Sequence, residues 1–330
     1  MSVSTIEVPT PEAIASSREP LWRAVRWAVF VAYVVFFVFW VDRHGFPFDR
    51  LQFIVWVVGA LSISCLGRSP LQAVWLLIEW TPIPAVFLAY DLSRGAAENI
   101  GMPVQVTPQI WAEKVVFFGE IPTVHLQDWL YTPGVVSWWQ AVLSLTYASH
   151  FVLPFVVAGA LWARNRSQFH RFIVRFVATS FLAVAFFVVC PTAPPWMAAE
   201  QGHIDQVERI ANKGWSLIGL PGTERWVLTK ADTVNQVAAI PSLHAGFAIL
   251  IAMFFWSRVP RRLRPLLLIH PLLMTFTIVY GGEHYAVDAL AGWGTVALAC
   301  WLCTRVESWW SQRRRPMTAA TATATATATD

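Results

Sequence analysis

The sequence predicts an all-α polytopic membrane bundle, and three observations carry that prediction. Of the 330 residues, 56% are hydrophobic and 13% charged, where a soluble domain has about a quarter charged. Apolar runs recur at about 24–41, 51–66, 71–92, 141–163, 172–190, 240–257, 265–281 and 284–304. Most are long enough to cross a hydrocarbon core of ~30 Å as a helix. The arginines collect between alternate runs, so the net charge of +4 reads as membrane topology rather than as affinity for nucleic acid.

Taken in order, residues 1–22 are polar and expected to be disordered and cytoplasmic. They show no secretory n-region or cleavage site, so the first run is expected to stay as an anchor. Arg18, Arg23 and Arg26 stand ahead of the first span, and Arg68 lies between the second and third. Arg164, Arg166, Arg171 and Arg175 fall between the fourth and fifth, Arg258 to Arg264 between the sixth and seventh, and Arg305 to Arg315 after the eighth. If all eight runs cross, every one of these lies on one side, which the positive-inside rule makes cytoplasmic. Arg43 and Arg50 are the exceptions. The expectation is a multi-pass plasma-membrane protein with both termini cytoplasmic, a membrane domain at 23–305 and a low-complexity tail at 306–330.

The other side receives two long segments, about 93–140 and 191–239. The first mixes Trp111, Trp129, Trp138 and Trp139 with Lys114, Glu120 and Asp128. That composition suits helices lying in the interface with their rings at headgroup depth, and equally an ordinary loop. Cys300 and Cys303 have metal-like spacing without a second pair, and read as helix packing.

The chemistry concentrates at the starts of two apolar runs, in Ile240-Pro241-Ser242-Leu243-His244 and Gly281-Gly282-Glu283-His284-Tyr285-Ala286-Val287-Asp288. Under this topology both histidines sit at the extracytoplasmic ends of their helices, at one depth, where a lipid headgroup lies. An ionisable group there is a functional-site hypothesis by default. His284 and Asp288 are four apart, so a helix would place the carboxylate beside the imidazole, fixing its tautomer and freeing the other nitrogen as a nucleophile. Pro241 is expected as the first helical residue, with the Ser242 hydroxyl and first-turn N–H groups facing a phosphate and His244 protonating the departing oxygen. Gly281 and Gly282 permit a close backbone approach just before the nucleophile.

Pro241-Ser242-Leu243-His244 followed some forty residues later by His284-Tyr285-x-x-Asp288 resembles the type-2 phosphatidic acid phosphatase superfamily. The closer likeness is to its branch containing inositol phosphorylceramide synthase and sphingomyelin synthase. Cys190-Pro191-Thr192-Ala193-Pro194-Pro195-Trp196, Tyr90-Asp91-Leu92-Ser93-Arg94-Gly95 and Phe118-Gly119-Glu120-Ile121-Pro122-Thr123 resemble bacterial members of that branch. The resemblance covers about 70–305. It implies a six-helix catalytic core and metal-free transfer through a phosphohistidine, with His284 the nucleophile, Asp288 its partner and His244 the acid. No cofactor is expected, and the partners are the bilayer and a phospholipid or polyprenyl-phosphate substrate. Ser242, Gly281, Gly282, Tyr285, Asp91, Arg94, Pro194, Trp196 and Lys230 are the substrate-binding candidates.

The departures bear on the reaction. Phosphatase members carry Lys and Arg-Pro where this chain has Phe187 and Pro194-Pro195, and Ser-Arg ahead of the nucleophile where it has Thr277-Ile278. The phosphate must then meet other cations, among which Arg94, Lys114, Lys213, Arg225 and Lys230 lie on the correct side. This favours transfer of a headgroup over simple phosphatase action. Other readings stand beside it: a metal site using His284, Asp288 and His203, or an anionic-lipid carrier without catalysis. His150 and His270, inside spans, read as helix–helix hydrogen-bonding residues. Asp91 and Arg94 read equally as an ion pair or a headgroup contact.

Overall fold

The first helix, α1 (Pro11–His44), pairs with α2 (Arg50–Ile63) through the Tyr33 hydroxyl, which donates to the Trp56 carbonyl at 2.5 Å. The computed structural model describes residues 11–44, 50–220, 223 and 235–313. Since α1 begins at Pro11, residues 11–22, expected to be disordered, are helical: a proline and then Glu-Ala-Ile-Ala make a ready first turn.

α3 (Pro70–Trp80) passes through Thr81 into α4 (Pro82–Ile100), the break falling where Pro82 lacks an N–H to continue the ladder. α5 (Thr107–Val116) and α6 (Pro122–Leu130) follow, then two long spans, α7 (Trp138–Arg164) and α8 (Arg166–Val189). The side chain of Asn165 starts α8 by accepting from the Gln168 N–H at 3.1 Å. After α9 (Pro195–Glu200) and a 3-10 turn at Lys213–Ile218 come α10 (Leu243–Trp256), α11 (Arg264–Leu267), α12 (Ile269–Tyr280) and α13 (Ala286–Arg313). Among the described residues there is no strand, only isolated bridges joining Gln105, Thr192 and Ala238.

All eight apolar runs fall on helices. Six helical stretches are long and apolar enough to cross a membrane: Glu19–Val41, Pro70–Ser93, Trp138–Arg164, Arg166–Val189, Arg261–Tyr280 and Ala286–Arg313. The second and sixth runs make shorter apolar helices, Ile54–Ile63 and Leu243–Trp256. The sixth is shorter than its sequence suggests because Pro241 is not its first residue. Ser242 is extended (φ −68°, ψ 114°) and caps the helix, accepting from the Ala245 N–H, after a cis Ile240–Pro241 bond.

In lipid, helices associate through close packing rather than water exclusion. The α10–α13 crossing shows this: a Cβ on Gly292 would lie 2.3 Å from the Ser242 carbonyl oxygen. Around it Phe155, Phe172, Phe176, Phe247 and Phe254 from α7, α8 and α10 form one buried cluster. Chain direction puts the starts of α7, α10 and α13 and the ends of α8 and α12 at one end of the bundle. Arg164, Arg166, Arg258, Arg261, Arg262 and Arg313 gather at the other.

α5 and α6 sit at the histidine end, and their faces are inverted relative to a soluble helix. Gln109, Glu113, Thr123 and Gln127 are buried, while Trp111 and Trp129 are 69% and 82% exposed. An outward aromatic face over a polar inward one suits helices in the membrane interface.

Candidate functional site

His284 lies in the turn between α12 and α13, two residues before α13 begins. The Glu283 and His284 N–H groups both donate to the Ile278 carbonyl, at 3.0 and 3.1 Å. Gly282 has φ +75°, a region open to glycine at little cost. The close approach that Gly281 and Gly282 allow is to the segment 207–211: added Cβ atoms would lie 2.7 Å from the Ala211 Cβ and the Glu208 carbonyl oxygen. Neither glycine lines the cavity described below. Instead the Gly281 carbonyl accepts from the Ile210 N–H and that of Gly282 from the Trp196 N–H.

Because His284 precedes the helix, the expected i,i+4 hydrogen bond to Asp288 is not made. His284 Nδ1 donates to the Ala239 carbonyl at 2.8 Å, and Asp288 Oδ2 lies 3.7 Å away as an ion-pair contact. Asp288, fully buried, accepts from the Tyr285 N–H at 2.9 Å, the carboxylate half of a capping box. The Asp288 carbonyl in turn accepts from the Ser242 N–H at 2.9 Å, which locks the starts of α10 and α13 together.

His244 is the second residue of α10, and its Nδ1 lies 3.2 Å from His284 Nε2. A carbonyl only accepts, so the proton on His284 Nδ1 leaves Nε2 as the lone-pair nitrogen. His244 Nδ1 is then the donor between the two rings. The His244 ring stacks on Tyr147 at 4.8 Å and lies 4.1 Å from the His150 ring. Its Nε2 is buried with no hydrogen-bond partner among the described residues.

Both histidines line a cavity of about 160 Å³. One wall is apolar, with Phe87 from α4, Phe155 from α7, and Val184 and Phe187 from α8. The polar end adds Tyr147, His150, Asn235, Glu283 and Arg209. His150, expected to hydrogen-bond between helices, shares the cavity with His244 and His284. Arg209 Nε donates to Glu283 Oε1 at 2.7 Å, and its guanidinium lies 5.4 Å from the Trp196 ring centre. Burial opposes the Arg209 charge, yet Glu283 and Tyr147 outweigh it and hold the guanidinium above its ordinary range. The segment is pinned by Gln127, whose amide nitrogen donates to the Glu208 and Tyr280 carbonyls and whose oxygen accepts from the Glu208 N–H, all at 2.8 Å.

Arg209 was not legible in the sequence: it stands among six cations on the outer segments, with no motif around it. Of the cations that were singled out, Lys213 is engaged with Tyr131 and with Glu208 at 2.8 Å. The Arg94 side chain, Arg225 and Lys230 lie outside the described residues. Pro194 and Trp196 line the cavity. Ser242 is buried as a helix cap, and Tyr285 is fully buried behind His284. Asp91 does not line the cavity, although Tyr90 beside it does. Among the described residues no group of three or more His, Cys, Asp or Glu is placed to hold a metal ion.

A helical membrane bundle with a histidine pair at the head of an apolar cavity, together with the PAP2 match at residues 122–302, makes this a membrane-embedded enzyme of lipid phosphate chemistry, a phosphotransferase or phosphatase. The chain belongs to the PAP2 superfamily, which residues 122–302 match. It is 29% identical over 276 residues to phosphoinositol dihydroceramide synthase of Bacteroides thetaiotaomicron, a match covering 73% of this chain and 86% of that protein. It is also 29% identical over 154 residues to the inositol phosphorylceramide synthase catalytic subunit AUR1 of Saccharomyces cerevisiae, covering 43% of this chain and 36% of that one. No solved structure matches.

Proposed function

We propose that this protein transfers an inositol-phosphate headgroup from a phospholipid to a second lipid alcohol, through a covalent intermediate on His284. The observation that carries the reading is His284 Nε2 facing His244 Nδ1 at 3.2 Å on a cavity with an aromatic, lipid-like wall. The headgroup follows the names of the two relatives, synthases of phosphoinositol dihydroceramide and inositol phosphorylceramide.

In the first step the donor phosphate enters between the rings, and its negative charge favours the imidazolium form of His244. The His284 Nε2 lone pair attacks phosphorus, the bond to the glyceride oxygen breaks, and His244 gives that oxygen its Nδ1 proton. In the second step the acceptor hydroxyl oxygen attacks phosphorus, His244 takes the hydroxyl proton, and the N–P bond breaks. The Ala239 carbonyl and Asp288 hold the His284 tautomer and offset the charge that the ring carries while phosphorylated.

The charge of the site favours a diester over a monoester. Arg209, the one guanidinium on the cavity among the described residues, is paired with Glu283, so the pair is near neutral. A monoester dianion brings one more charge than a diester, and the cation it lacks here would be worth about 4 kcal/mol at ~4 Å and an effective dielectric of ~20. The outward aromatic face of α5 and α6 and the apolar cavity wall limit water at the intermediate.

The arginine-rich end of the bundle supports a cytoplasmic placement for that end and both termini, with the site extracytoplasmic, in the plasma membrane. The membrane domain is placed at 23–305, flanked by 1–22 and 306–330, although α1 and α13 run past both bounds. Membership of the PAP2 superfamily favours a second reading, hydrolysis of a lipid or polyprenyl phosphate. Purified protein supplied with phosphatidylinositol plus a ceramide, and separately with phosphatidic acid, separates the two. Transfer to the ceramide supports the proposal; rapid phosphate release from phosphatidic acid with the diester untouched supports the second.

A further inference from the structure

Glu113 lies on α5, ahead of residues 122–302 where the superfamily match begins, and is fully buried. Its two carboxylate oxygens accept from the N–H groups of Ala286 and Val287, each at 3.0 Å. Those are the first two residues of α13, directly after His284-Tyr285. With Asp288 taking the Tyr285 N–H, three consecutive amides behind the nucleophile are held by carboxylates from two elements. The base of α5 is also tied to the other side of His284. The Gln105 N–H donates to the Pro191 carbonyl and the Ala193 N–H to the Gln105 carbonyl. Thr192 then binds Val237 and Ile240 through its N–H and hydroxyl, on either side of the Ala239 carbonyl that holds His284 Nδ1.

We propose that Glu113 is a positioning residue for His284: it clamps the start of α13 from the interfacial helix α5 and fixes the nucleophile for in-line attack. The inference rests on the reading of His284 as nucleophile. A carboxylate at a helix start is favoured by the macrodipole, and the fork fits two adjacent N–H groups as no neutral side chain does. A Gln would present an N–H to one of the two donors. Burial pushes the Glu113 carboxyl up to about 7 against the two backbone bonds, with the Asp288 charge adding to the rise, and the Tyr285 phenol beside it stays neutral. The ionised fork that accepts from both N–H groups is therefore populated above about 7, and in acid the neutral carboxyl accepts from one of them at the cost of the other.

The test measures kcat and KM of headgroup transfer from pH 5.5 to 8.5 in full-length protein reconstituted in vesicles, for wild type, Glu113→Gln and His284→Ala. Glu113→Gln is expected to lower kcat by about 10- to 100-fold at pH 8, as sub-ångström to ångström misplacement of a reacting group does, with KM within about threefold. The ratio of wild-type to variant kcat should shrink as pH falls through about 7, because the wild-type carboxyl is then neutral too; taking the ratio cancels titration of the histidines. Wild-type kcat in Glu113→Gln, or a reduced kcat whose ratio is flat with pH, overturns the inference. If Glu113→Gln does not fold, Glu113→Asp, which keeps the charge but cannot span both N–H groups, must show the lower kcat at unchanged KM, and wild-type kcat overturns it. Activity in His284→Ala would instead overturn the nucleophile reading.

Discussion

His244 and His284 face each other nitrogen to nitrogen at 3.2 Å, with the outer nitrogen of His284 bound to the Ala239 carbonyl. Two neutral imidazoles can share one proton across that contact, and a phosphate can replace it by entering between them. The proposed acid, the proposed nucleophile and the tautomer-fixing carbonyl thus follow one another across three chain segments.

Asp288 is 3.7 Å from His284 Nδ1, and the direct bond goes to Ala239. Its contribution is therefore charge support and the capping of α13. Asp288→Asn is expected to retain turnover at a kcat about 10²-fold lower, within the usual range for acid–base partners, while His284→Ala retains none. Steady-state kinetics of both purified variants check this, and equal loss in the two would contradict it.

In the proposed reaction the Arg209–Glu283 pair on the cavity sets the charge available to the substrate. Arg209→Ala is expected to lower kcat/KM for the phosphodiester by roughly 10- to 100-fold, the value of one charge-assisted hydrogen bond. Glu283→Gln leaves the guanidinium uncompensated, so it should raise hydrolysis of phosphatidic acid relative to headgroup transfer. Competition assays with both lipids measure that ratio; an unchanged ratio contradicts the assignment.

Gly282 has φ +75° and no room for a Cβ, which would lie 2.7 Å from the Glu208 carbonyl oxygen. Gly282→Ala should cost about 1–3 kcal/mol of stability through backbone strain and displaced packing. It should also lower activity by shifting Arg209. The same change at Gly294, where a Cβ meets nothing within 4 Å, is the control.

Glu113 also predicts how stability varies with pH. Its folded pKa of about 7 lies above the ordinary 4.5, so its contribution is fully present below about 4.5 and is lost as pH rises through about 7. The loss is on the order of 3 kcal/mol. Thermal melts in detergent should show wild-type Tm falling over that window and Glu113→Gln with a shallower slope; parallel slopes contradict this.

The positions of the helices were legible because apolar length is a local property of the chain; of the eight runs, six lie on helices long enough to cross a membrane. The pairing of His244 with His284 was legible from their shared depth under the topology drawn from the arginines. The start of α10 was misplaced by two residues because a capping serine after a proline looks, in sequence, like a first helical turn. The His284–Asp288 bond was misread for a related reason: spacing of four implies one helix face only if both residues are in the helix. Arg209, Glu283 and Glu113 were not legible, since their roles come from a loop folding back onto the Gly281-Gly282 turn and a carboxylate crossing between elements 173 residues apart. Neither leaves a pattern in the local sequence.

In the proposed reaction phosphorus becomes bonded to His284. The direct measurement is incubation of purified protein with phosphatidylinositol labelled at phosphorus, without acceptor, quenched in alkaline denaturant, where an N–P bond survives, and followed by peptide mapping of the label at high pH. Label on His284, discharged when a ceramide is added and absent from an inactive His284→Ala, is the predicted result. Turnover at the wild-type rate by His284→Ala, with no labelled histidine in either protein, would contradict it.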